Sequence, residues 1–101
     1  MTDRELLEAA AKAAGIELGG WCEELDAFWK GKTGDGIWNP ITDDGDALRL
    51  AVKLGLVVDC SRPSAGEPYK QHAIWLDALC DTAALTRRAI VRAAAEIGRQ
   101  A

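Results

Sequence analysis

The stretch Trp38-Asn39-Pro40-Ile41-Thr42-Asp43-Asp44-Gly45-Asp46-Ala47-Leu48-Arg49-Leu50-Ala51-Val52, continued by Lys53-Leu54-Gly55 and then Leu56-Val57-Val58-Asp59-Cys60, passes from turn to helix to strand. Pro40 keeps Asn39 out of the helical region, and the short polar side chains of Thr42, Asp43 and Asp44 accept amide hydrogen bonds at a helix start. Ala47, Leu50, Ala51 and Leu54 recur at helical spacing, Arg49 and Lys53 fall on the wet side, and Gly55 supplies a left-handed stop. The spacing predicts a helix over 43–54. Leu56 to Cys60 is a short apolar run rich in β-branched residues, and Tyr69 to Leu76 is a second strand candidate. The polar, proline-bearing stretch Ser61 to Pro68 between them reads as the long, mobile loop of a hairpin.

Working outward, Thr2 to Glu5 spells a capping box, and Leu6, Ala10, Ala13 with Leu7, Ala14 make an apolar stripe that Gly15 ends, predicting a helix over 3–14. Asp81 opens a third helix over 81–98, with Leu85, Ala89, Ala93, Ile97 in one row and Thr86, Ile90, Ala94 beside it. Its other side carries Arg87, Arg88 and Arg92 together with Val91 and Ala95, a mixed face suited to being covered by a partner. Arg92 and Glu96 stand one turn apart, the spacing of an ion pair. Between Ile16 and Pro40 periodicity is poor and glycines are dense, so this segment reads as irregular or short-stranded. The sum is one α+β domain over 1–101, a small antiparallel sheet covered by three helices. Short strands leave edges that pairing between copies would hide, which makes a homodimer an expectation of the layout.

A length of 101 residues fits one domain, and 49% hydrophobic with 28% charged residues excludes a disordered chain. Sixteen acids against 12 bases give a net charge of −4, so the surface as a whole repels nucleic-acid backbones and anionic membranes, and an anion site needs a local basic patch. No apolar run approaches the roughly 20 residues that span a bilayer, and the charged N-terminus lacks a signal-peptide core. Cys22, Cys60 and Cys80 are odd in number and far apart, as suits a reducing cytoplasm. With His72 they could make a Cys3His zinc set, but without the closely spaced ligand pairs such sites use. His72 is the sole histidine and thus the only imidazole base available, with Cys60 or Cys80 as nucleophile. Gly31-Lys32-Thr33 ends like a phosphate loop, yet Asp26 stands where the first glycine belongs and Phe28 and Trp29 fill the cradle. Asp43-Asp44-Gly45-Asp46 lacks the ligand spacing of a calcium loop and reads as helix capping. No metal, cofactor or catalytic set is assigned.

The block from Trp38 to Val52 resembles a family of small bacteriophage and prophage proteins. Thr86-Arg87-Arg88-Ala89-Ile90-Val91-Arg92-Ala93-Ala94-Ala95-Glu96-Ile97-Gly98 looks like that family's C-terminal helix, and Thr2-Asp3-Arg4-Glu5-Leu6-Leu7 like its opening. The layout is also similar to phage ABA-sandwich domains, with sheet between helices. The resemblance implies an accessory protein of the host cytoplasm, non-enzymatic and acting by stoichiometric binding, that counteracts a host defence by occluding a host protein or sequestering a small nucleotide signal. The alternatives are a small phage enzyme using His72 with a cysteine or the acid cluster, and a structural or regulatory phage protein.

The residues that would serve a nucleotide are aromatic faces and arginine forks: Trp38, Trp75, Arg62, Arg87, Arg88 and Arg92 form the candidate ligand-binding set, with Trp21 and Trp29 as further stacking surfaces. One base stacked on an aromatic ring is worth about 1–3 kcal/mol. In the simpler reading the tryptophans anchor a small core and the arginines keep helix faces wet. The net acidity and the lack of a DNA-reading motif argue against nucleic acid as a partner. Between the two ligands, the acidity favours a protein with a basic surface and the clustered arginines favour a nucleotide, and neither dominates.

Overall fold

The computed structural model describes residues 2–31, 36–68, 73–74 and 81–100. Its elements follow as α1 (Asp3–Ala14), β1 (Leu18–Cys22), β2 (Ala27–Lys30), β3 (Ile37–Trp38), α2 (Asp44–Leu54), β4 (Val57–Asp59), β5 (Ser64–Gly66), β6 (Ala73–Ile74) and α3 (Thr82–Gln100). The chain is α+β, as its sequence implies, with two small antiparallel sheets, ordered β1-β2-β3 and β4-β5-β6. Among the described residues no helix is long and apolar enough to cross a membrane.

Local chemistry sets the helix ends. The Glu5 amide donates to Thr2 Oγ1 at 3.2 Å, the Asp46 amide to Asp43 Oδ2 at 2.7 Å and the Ala84 amide to Asp81 Oδ1 at 2.7 Å, so each helix has a side-chain cap at its start. Gly15 and Gly55 close α1 and α2 at φ 68° and 64°, a backbone that an L side chain strains.

Three expectations change. The single sheet is two, because the glycine-dense segment after α1 folds as β1, β2 and β3 and pairs with itself. The hairpin between residues 56–60 and 69–76 is interrupted: β5, taken from the expected loop, lies between β4 and β6 and pairs with both. Asp59 turns the chain back into it, Oδ1 accepting the Ser61 amide at 2.9 Å, the Ser61 hydroxyl at 2.6 Å and the Arg62 amide at 3.2 Å. Ser64, Ala65 and Gly66 are all buried, small enough for α3 to lie across them, and carry no β-branched signal. The mixed face of α3 needs no partner either, since Val91 and Ala95 are 0% and 1% exposed inside the chain itself.

α3 is therefore the central helix. α1 packs along it more extensively than any other pair of elements, and α2 and β5 cover further sides. A Cβ added at Gly98 would collide with the backbone carbonyl of Ala9, so only glycine lets α1 and α3 approach this closely. The core joins Leu7, Ala10 and Ala14 of α1, Phe28 and Trp38 of the first sheet, Leu50 and Ala51 of α2, and Ala65 under α3.

Candidate functional site

The block from Trp38 to Arg49 is held by a buried carboxylate. Asp46, 4% exposed, accepts the Asn39 amide on Oδ2 at 3.0 Å and Arg49 Nη2 on Oδ1 at 2.7 Å, with Lys30 Nζ at 3.7 Å from the same oxygen. Asn39 Oδ1 accepts the Ile41 amide at 3.1 Å, and the Asn39 carbonyl accepts the amides of Thr42 at 3.2 Å and Asp43 at 2.9 Å. The acid cluster is thus committed to the turn and to the start of α2. Among the described residues no group of histidine, cysteine and acid side chains could hold a metal ion.

Of the described candidate ligand-binding residues, Arg87 lines a cleft between α2 and α3, and Trp38, Arg62, Arg88 and Arg92 do not. Trp38 is 5% exposed and belongs to the core. Arg87 spans from α3 to this block, donating from Nε to the Ile41 carbonyl at 2.9 Å and from Nη1 to Asp44 Oδ1 at 2.6 Å. Arg88 forks onto Asp3 of α1, with Nη1 to Oδ1 at 3.1 Å and Nη2 to Oδ2 at 3.3 Å. Two of the proposed anion forks are thereby cross-braces between elements. Arg62 is exposed in the turn after Asp59, and Arg92 is exposed on α3. Trp75, His72 and Cys80 lie outside the described residues, and with them the imidazole base and half of the zinc set. Arg99 Nη1 stands 3.6 Å from Glu96 Oε1 on the last turns of α3. Trp21 packs edge-on against Phe28, with ring centroids 4.9 Å apart and the Arg4 guanidinium 5.2 Å from the Trp21 ring centre.

What the structure does build is a cleft of about 480 Å³ between α2, α3 and the end of β4. Ala47 and Leu48 line it from α2, Val58 and Cys60 from β4 and the turn that follows, and Ala83, Thr86 and Ile90 from α3, with Asp44, Arg87 and Thr82 completing it. Arg87 meets Asp44, and the Thr86 hydroxyl donates to the Thr82 carbonyl at 2.8 Å. Apart from Cys60 and Thr82, the remaining described lining is apolar, and the size is that of a ligand or side-chain pocket. Leu48 and Val52, one turn apart on α2, are 64% and 72% exposed, and Val57 of β4 is 43% exposed. Sequence patterning followed the buried stripe of α2 and passed over this second apolar row, Leu48 and Val52, set among Arg49 and Lys53. That row was the available signal.

Cys22 is half-buried, and Cys60, exposed at the cleft, carries a free thiol. Beside it the Asp59 carboxyl is held below its ordinary value, first by the Ser61 hydroxyl and then by the Arg62 and Ser61 amides. Comparison with protein-family models, with curated proteins and with solved structures finds no match.

Proposed function

We propose that this chain is a non-enzymatic phage accessory protein of the host cytoplasm that works by stoichiometric binding, counteracting a host defence by occluding a protein of the host. The observation that carries the reading is the apolar cleft between α2 and α3, with Leu48 exposed at its side. The sequence resemblance to small phage proteins supplies the biological setting. A protein target is favoured over a nucleotide signal because the Trp38 ring is packed in the core, and Arg87 and Arg88 have their forks on Ile41, Asp44 and Asp3. The acids of 43–46 serve the α2 cap and its ion pairs, which weighs against the metal-holding form of the enzyme alternative.

Thermal unfolding with a panel of linear and cyclic nucleotides tests the choice of ligand. A ligand at 100 times its Kd would add about 2.7 kcal/mol to stability. The expected result is an unchanged Tm with every nucleotide; a clear rise with one of them would overturn the protein-occlusion reading in favour of nucleotide sequestration. Titration of the chain against the defence activity should saturate at a fixed ratio to its target, and full suppression by trace amounts would contradict stoichiometric action.

A further inference from the structure

We draw no further inference here: the strongest candidate, the exposed apolar row of Leu48 and Val52 on α2 beside the α2–α3 cleft, belongs to the site already described and stands among exposed charges of both signs, Asp44, Arg49 and Lys53, so that nothing among the described residues shows what covers it.

Discussion

The α1–α3 side and the α2–β4 side of this chain use the same kinds of residue to opposite ends. Along α1 and α3, alanines and Gly98 bring two backbones together, and Arg88 ties the helices across their charged border. Around α2 and β4, larger aliphatics are left uncovered: Leu48, Val52 and Val57 are exposed, and a cleft of about 480 Å³ stays open. Apolar residues closed upon each other stabilise the fold; those left at an open cleft are the surface on which the proposed binding rests. Arg87 and Arg88, which the sequence offers as ligand forks, are structural braces, and the proposed binding rests on leucine and valine instead.

The comparison breaks most visibly at Gly98. Gly98→Val forces a side chain into the Ala9 carbonyl, and a loss at or above the upper end of the about 1–3 kcal/mol typical of overpacking is expected in denaturant unfolding. Asp46→Ala strips the Asn39 amide of its buried acceptor and leaves Arg49 and Lys30 without their shared carboxylate; calorimetry should register about 1–3 kcal/mol of destabilisation. Arg88→Ala removes a partly exposed fork, so its cost in the same measurement is smaller, up to about 1 kcal/mol. Leu48→Ser should move stability by no more than about 0.5 kcal/mol. A Leu48→Ser loss comparable to that of Gly98→Val would erase the distinction between the two sides.

The smallest effect is at Asp59. Its carboxyl titrates lower in the folded chain than in the unfolded one, so the turn it holds contributes stability above the ordinary carboxylate pKa of 3.8 and loses it as pH falls through the lower folded value. NMR titration should show Asp59 protonating below the ordinary value of 3.8, and Ser61→Ala should raise its pKa back toward that value.

How much of this was legible depends on the distance over which the physics acts. The helices were, since Thr2, Asp43, Gly15 and Gly55 act within one turn and the structure puts each cap where the pattern does. β5 was not, because Ser64-Ala65-Gly66 carries no strand signature and becomes a strand only when α3 lies across it. The burial of Val91 and Ala95 depends on packing against other elements, which helical periodicity cannot register. At the site, capping of α2 by Asp43 was readable, while the seven-residue reach of Asp46 back to Asn39 required the folded turn. The cleft was hinted at only by Leu48 and Val52 on the wet side of α2, and Trp38 misled because an aromatic residue reads alike as core anchor and as stacking platform.

The proposed activity rests on the α2–α3 cleft and not on the arginines. Its most direct test compares, in a bacterial host with an active defence, the rescue of phage infection by the native chain, by Ala83→Trp and by Arg88→Ala, at matched expression and with folding verified. Loss of rescue with Ala83→Trp and retention with Arg88→Ala is the predicted result. Full rescue by Ala83→Trp, with rescue lost in Arg88→Ala, would contradict it.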